Sequence, residues 1–412
     1  MRLRSMVGMG LALLLAAIIM IGCGTRKGLN FENGLRRFEE RKLEEAIAAF
    51  EPIALEGGDY ANRARFYMGE CYKLQFKWDE ATSQFQMVVD SEPSTNYLAI
   101  KARDRIAQIR EGRRDIQRIK IIHDNNPGTD MAADALLESG SVYENNLDDY
   151  DNAIKAYQQV IDEFPGTPKA AQAQVNIGHI HLYKTYDYVK AFEELKKVNI
   201  ETYPDLKFRV SEVESLLRDF NKTQQEINEL WSFIREAEKR KVPEGRRVSG
   251  YERYGVKREM VAQSFLGMAQ KFRKLRNYPR ALQAYRMLID HLPLMLRQVA
   301  QARYGISEVY QSDIGNYLEA IDAYNEYIKY HPTDFRRSEA DYNKAICYDS
   351  LRDYQKSYEA YRTYRDTYPS GKFYKAAELK TRQYEYDEDQ DGFPYYKELM
   401  EGTKDTDPNE HP

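Results

Sequence analysis

Near its C-terminus the chain places oxygen-bearing groups at intervals that suit a hard cation. Asp387, Asp389 and Asp391 alternate with other residues, Gly392 and Phe393 follow, and Glu398 stands at the twelfth position counted from Asp387. Ca²⁺ takes roughly six to eight oxygen ligands. Three aspartates can wrap one side of such an ion, Gly392 permits the sharp turn, the Phe393 carbonyl adds a ligand, and Glu398 can close the shell with both oxygens. The spacing therefore implies Ca²⁺ as the one cofactor, held by Asp387, Asp389, Asp391, Phe393 and Glu398. The bland alternative is an acidic, solvated terminus.

A second chemical feature lies at the other end. The first 22 residues combine Arg2 and Arg4 with an uncharged apolar run from Met6 to Ile21 and a small residue, Gly22, ahead of Cys23. This is the pattern of a secretory leader. The run is shorter than the roughly 20 residues a spanning helix needs, and an uncleaved signal anchor is the alternative. Met20-Ile21-Gly22-Cys23 resembles the bacterial lipobox, with Met20 where leucine is more usual. That resemblance implies that Cys23 is diacylated and becomes the new N-terminus, which two or three acyl chains would hold stably in a bilayer. Gly24, rather than aspartate, follows the cysteine and by the same resemblance implies the outer membrane, with the body in the periplasm or at the cell surface.

Other chemistry is scarce. Nucleophile elbows, glycine-rich phosphate loops and the histidine–glutamate zinc helix do not occur in the sequence. Of the six histidines only His179 and His181 are close, and two residues apart on a helix they point to different faces, unlike a metal-binding pair. Cys71 and Cys347 each sit in an apolar helical pattern and read as buried thiols. A leader ending at Gly22 would remove two arginines and no acid, so the formal charge of −4 becomes only mildly more negative. Neither nucleic acid nor a small-molecule substrate is an expected partner, and the chain reads as non-catalytic.

The elements that must position these groups announce themselves by repetition. An aromatic is followed three residues later by a small residue, four further on by a second aromatic, and eight beyond that by proline. The copies are Trp78, Ala81, Phe85, Pro93; Tyr150, Ala153, Tyr157, Pro165; Tyr278, Ala281, Tyr285, Pro293; Tyr317, Ala320, Tyr324, Pro332; and Tyr354, Ser357, Tyr361, Pro369. Leu43, Ala46 and Phe50 lack the proline, and Tyr188, Ala191, Leu195 and Pro204 carry one extra residue. Offsets of 0, 3 and 7 share one helical face, and proline ends the helix. Thr167 followed by Pro168 reads as an N-cap with proline at the first helical position. Thr333-Asp334 and Ser370-Gly371 read as equivalent turns and caps. An apolar helical pattern around Gly69, Gly140, Gly178, Gly267 or Gly305 precedes most copies, so each unit is a helical hairpin. With 33 tyrosines against 14 prolines and 23 glycines, long amphipathic helices suit the composition better than sheets or disordered tracts.

These residues and their spacings resemble tetratricopeptide repeats with lengthened loops. The fold that the resemblance implies is an all-α helix-turn-helix solenoid, a right-handed superhelix, with the short calcium-loop tail appended. The expected organisation is a signal peptide over 1–22, an N-terminal array over 23–205 with a degenerate repeat at about 96–129, a connecting helix and basic loop over 206–257, a C-terminal array over 258–386, and the acidic tail over 387–412. The tail is similar to thrombospondin type 3 repeats and to EF-hand loops. Envelope tetratricopeptide lipoproteins have junctions like Phe164-Pro165-Gly166-Thr167-Pro168. Membership of that group implies a scaffold that holds other envelope proteins or peptides in its groove, within outer-membrane assembly, cell-wall synthesis or secretion. The alternatives are a surface adhesion module that uses the calcium tail, and an accessory subunit of an enzyme.

Overall fold

The computed structural model describes residues 30–403 except 59, 94–95, 209, 212–213, 216–217, 223–224, 227, 230–231, 233–250 and 389–391, with the backbone alone for 251–257. Cys23 and its leader, the basic loop around 242–250, Asp389, Asp391 and His411 lie outside the described residues. All regular elements among the described residues are helical. The chain divides into two compact units, Met1–Leu217 and Arg218–Pro412, inside the segment expected to connect the arrays.

In the N-terminal unit, α1 (residues 30–39) and α2 (Leu43–Glu56) form the first hairpin, and α3 (Ala61–Leu74) with α4 (Trp78–Ser91) the second. A single helix of 29 residues, α5 (Tyr97–Asn125), follows. The hairpins α6 (Asp130–Asn145) with α7 (Tyr150–Glu163), and α8 (Pro168–Tyr183) with α9 (Tyr188–Lys196), complete this array. The stretch read as a degenerate repeat is thus one uninterrupted helix. Three of its basic side chains pair with acids of neighbouring helices: Arg105 bonds Glu70 at 2.6 Å, and at the surface Arg113 bonds Asp79 and Arg118 bonds Glu138. Gly112 lets the loop at Asn146 and Leu147 close on it, since a Cβ there would meet both at about 3.1 Å.

The C-terminal unit includes α10, helical at its described residues between 218 and 232, and α11 (Tyr251–Lys274) with α12 (Tyr278–His291). Then come α13 (Leu296–Glu308), α14 (Tyr317–Tyr330), α15 (Arg337–Ser350), α16 (Tyr354–Thr367), α17 (Tyr374–Glu385) and α18 (Tyr395–Glu401). Lys271 on α11 pairs with Glu226 on α10.

The small residue and the second large side chain of each signature are core, whereas Trp78, Tyr150, Tyr278, Tyr317 and Tyr354 are half-buried and the prolines exposed. Ala46, Phe50, Ala81, Phe85, Ala153, Tyr157, Ala281, Tyr285, Ala320, Tyr324, Ser357 and Tyr361 are all buried. Each large side chain so buried contributes about 1.5–3 kcal/mol. Glycines open the space for them: a Cβ on Gly69 would lie 2.6 Å from the Phe85 ring, and Gly34, Gly140 and Gly178 stand in the same relation to Phe50, Tyr157 and Leu195. Gly267 departs from this expectation, with no atom within 4 Å of its would-be Cβ, because Tyr285 leans instead against Gly305 of the next hairpin.

Each hairpin bends at one backbone position. Arg41, Phe76, Asp148, Tyr186, Arg276 and Arg352 have φ between 53° and 60°, and Gly315 has 74°. Every one stands two residues before the first signature residue of its repeat. The next residue caps the second helix in four cases, through Asp149, Asp187, Asn277 and Asp353. The Thr167 cap is formed, its hydroxyl accepting the Ala170 N–H at 3.2 Å with Pro168 as first helical residue. Asp334 and Ser370 do not cap in that way: α15 and α17 begin after Arg336 and Phe373, without a side-chain cap. After Glu308 a π-helical turn, Val309–Ile314, absorbs extra residues, and this gives the longer spacing between Tyr278 and Tyr317.

Candidate functional sites

The tail forms helix, loop and helix. Asp387 follows α17 and its Oδ2 accepts the Gly392 N–H at 3.0 Å, which brings the sixth position of the loop back to the first. Gly392 holds φ +95°, a conformation that glycine adopts without strain. Phe393 and Pro394 lead into α18, and the Tyr395 N–H donates to the Tyr386 carbonyl at 2.8 Å, fastening the loop's two ends together. Glu398, in the first turn of α18, is 1% exposed. Asp387 Oδ1 is shielded from solvent and makes no hydrogen bond within the described structure. Asp387, Phe393 and Glu398 are therefore brought to one short loop, and Asp389 and Asp391 lie outside the described residues. Among the described residues no three His, Cys, Asp or Glu side chains converge as a metal site.

The loop is joined to the last full hairpin by aromatic packing. Tyr396 of α18 stacks on Tyr358 of α16 at 4.7 Å with 11° between the rings. Tyr395, Tyr396 and Leu399 pack on a cluster containing Tyr361, Tyr364 and Tyr384.

The second arrangement is a polar relay that recurs within both units. Tyr157 Oη donates to Glu144 Oε2 at 3.2 Å, and Asn176 bonds the same hydroxyl. Tyr324 Oη donates to Gln311 Oε1 at 2.6 Å and accepts from Asn343 Nδ2 at 3.2 Å. In each case the partners stand thirteen residues before and nineteen after the tyrosine. The relay thus links one hairpin, at α6 or at the π turn after α13, to the first helix of the next. Burial pushes the Glu144 carboxyl above its ordinary range, opposed by Lys184 and by the Tyr157 hydrogen bond. The hydrophilic partners at fixed offsets were the available signal for the relay.

Elsewhere the titratable groups are committed to structure. Cys71 and Cys347 are buried free thiols, each pushed up to about 12 chiefly by burial. His123 bridges Asp124 and Glu163 at 3.1 Å each. His179 packs against the Tyr183 ring and His331 against Tyr327. Desolvation lowers both His181 and His331.

Sequence models described as tetratricopeptide repeat match residues 63–95 and 134–167, and a second such model matches 266–335 and 310–372. No curated protein matches the chain. Among solved structures, the TPR2AB domain of yeast Sti1 in a pHSP90 complex is similar at 14% identity. That match covers 87% of this chain and 98% of the other, with a TM-score of 0.25. The C-terminal part of a TPR repeat-containing protein from Cytophaga hutchinsonii is similar at 12% identity over 84% and 98% of the two chains, with a TM-score of 0.24.

Proposed function

We propose that this protein is a non-catalytic scaffold, anchored by an acylated Cys23 to the bacterial outer membrane, whose repeat arrays hold other envelope proteins or peptides. The observation that carries the scaffold reading is the recurrent relay. The same tyrosine position in both units orients an acceptor on one hairpin and an asparagine on the first helix of the next, at Glu144 and Asn176 and again at Gln311, in the π turn after α13, and Asn343. Stacked hairpins that carry one such polar group in each unit on a rigid helical face suit an extended or helical segment of a partner, which gains affinity from many modest contacts. The packing aromatics behind them supply rigidity. A preformed surface loses less entropy on binding than one that must be ordered.

The lipid anchor rests on Met20-Ile21-Gly22-Cys23. Replacing Cys23 with serine should move the protein from the membrane to the soluble fraction, and persistence in the membrane would favour a signal anchor. Calcium in the tail is supported by the Asp387–Gly392 hydrogen bond, the positive φ of Gly392 and the burial of Glu398. Asp387, Asp389, Asp391, the Phe393 carbonyl and Glu398 would hold the ion, which supplies charge neutralisation and order rather than reactivity. Calorimetric titration with Ca²⁺ should give a binding heat that Asp389→Ala abolishes. No heat at millimolar ion would sink the site.

The scaffold itself is tested by crosslinking in the native envelope, followed by affinity purification through a tag placed before the tail. Enrichment of outer-membrane assembly, cell-wall or secretion components, reduced by the pair Asn176→Ala and Asn343→Ala, is the expected result. Recovery of the bait alone, under conditions that preserve known envelope complexes, would overturn the reading.

A further inference from the structure

The turns between hairpins differ in kind within the C-terminal unit from those ahead of α6 and α8. Thr129 and Thr167 cap those two helices. The turns ahead of α13, α15 and α17 give up such caps and present apolar groups instead. Leu294 is 79% exposed, Leu296 68% and Phe335 82%. Leu296 and Phe335 each stand three residues after the proline of their turn and Phe373 stands four after its own, and of the three only Phe373 is covered, by stacking on Tyr342 at 4.3 Å. An N-cap is worth about 1 kcal/mol, so its absence at two successive turns that carry exposed apolar side chains instead is not what solubility alone would favour.

The turns share one edge of the unit. Antiparallel hairpins stacked side by side return every such connection to the same side. Pro332, Asp334, Phe335 and Arg337 of the second turn line one shallow groove with Thr367 and Tyr368 of the third. Arg336 of the second turn lies 5.1 Å over the ring of Tyr304, just over two helical turns along α13 from Leu296.

The charge on this edge is positive. Arg297, Arg336, Arg337, Lys372 and Lys375 flank the apolar groups, and no acid occurs between Asp290 and Glu308 or between Asp366 and Glu378. The acid within the second turn, Asp334, is directed inward: its Oδ1 accepts the Tyr327 hydroxyl at 2.5 Å and the Arg336 N–H at 2.9 Å. Glu339 and Asp341, on α15, lie within 4.0 Å of Lys372 and Arg337, leaving Arg297 and Lys375 to carry the outermost charge.

The geometry points to an anionic phospholipid bilayer as the occupant of this edge. Leu294, Leu296 and Phe335 would enter the boundary between headgroups and acyl chains, and the flanking guanidinium and ammonium groups would meet lipid phosphates. Guanidinium suits this role because it binds phosphate in a bidentate manner and is weakly hydrated. The inference is independent of Cys23: an acyl anchor sets whether the chain is on a membrane, whereas this edge sets which surface of the C-terminal unit lies against it.

Hydrogen exchange on the full chain, alone and with vesicles of phosphatidylcholine or of a phosphatidylglycerol-rich mixture, tests the inference. Peptides covering 292–297 and 333–337 should exchange about tenfold more slowly with the anionic vesicles only, since each basic residue near an anionic surface adds an appreciable attraction. Peptides covering 126–129 and 164–167 should not change. The pair Leu294→Ser and Phe335→Ser, and separately Arg297→Glu with Lys375→Glu, should abolish the protection while leaving exchange in the helices unaltered. Equal exchange with both vesicle types overturns the inference. So does protection that follows protein density on the vesicle rather than its charge, because that would mark contact between copies of the chain. Total vesicle association reports the anchor separately, so either result can fail without the other.

Discussion

Lys73 Nζ lies 2.7 Å from Asp148 Oδ2, and of the two side chains the lysine is wholly buried while the aspartate is 22% exposed. The pair joins the end of α3 to the loop ahead of α7, across the turn of α5 at Gly112. Tyr150 Oη adds a hydrogen bond to the other aspartate oxygen at 3.2 Å. The asymmetry makes the two deletions unequal. Asp148→Ala strands a buried ammonium and should cost about 3–5 kcal/mol, whereas Lys73→Met leaves a carboxylate that water can reach and should cost much less. Urea unfolding followed by circular dichroism would measure both. Equal losses would show that the geometry, rather than the buried charge, is what matters.

Gly69→Ala and Gly267→Ala make a matched pair. At Gly69 the new methyl would meet the Phe85 ring at 2.6 Å, and overpacking of this kind costs about 1–3 kcal/mol. At Gly267 the space is open, so the higher helix propensity of alanine should stabilise the C-terminal unit by up to about 1 kcal/mol. Thermal unfolding of the two variants should move in opposite directions.

Arg352 sits at φ 57° at the bend between α15 and α16. A left-handed conformation costs a non-glycine residue roughly 1–2 kcal/mol. Arg352→Gly should therefore stabilise the unit by about 0.5–1 kcal/mol after the added freedom of the unfolded chain is counted. Arg352→Val, branched at Cβ, should destabilise it. A melting-temperature series over these two variants checks the sign.

The bridge from His123 to Glu163 should impose a pH window. The hydrogen bond that His123 donates to Glu163 raises the histidine above its ordinary value against the opposing effect of burial, while Gln159 and His123 hold the Glu163 carboxyl low. A raised histidine contributes stability fully below its unfolded pKa of about 6.5, and loses it as pH rises through the folded value. A lowered carboxylate contributes above its unfolded pKa of about 4.3, and loses it as pH falls. The bridge is thus strongest between those limits, and as a partly exposed pair near the surface it is worth less than about 1 kcal/mol. NMR titration of His123 should give a midpoint above the ordinary imidazole value, which Glu163→Gln brings down.

The hairpins were legible because their spacing is stereochemical: Ala153 and Tyr157 had to share a face, and proline at 165 had to end the helix. The bends were not. Six of the seven left-handed positions carry Arg, Phe, Asp or Tyr, and only Gly315 is the glycine that would have marked them. The π turn at Val309–Ile314 left no mark beyond a longer interval, and the first helix around Gly34 had no signature of its own. In the tail, the positions of Asp387, Gly392 and Glu398 could be read from spacing, while the clasp between Tyr386 and Tyr395 depends on backbone atoms that every residue possesses.

Those seven bends have a consequence for how such a surface can change. At each, the reversal is carried by the main chain rather than by the side chain above it; even Asp148 spends its carboxylate on a lysine from a different hairpin. Asp148 apart, the bends within either unit therefore form a row of positions where mutation is filtered mainly by backbone strain, so outward chemistry can drift from arginine to phenylalanine to tyrosine while the architecture underneath is inherited intact.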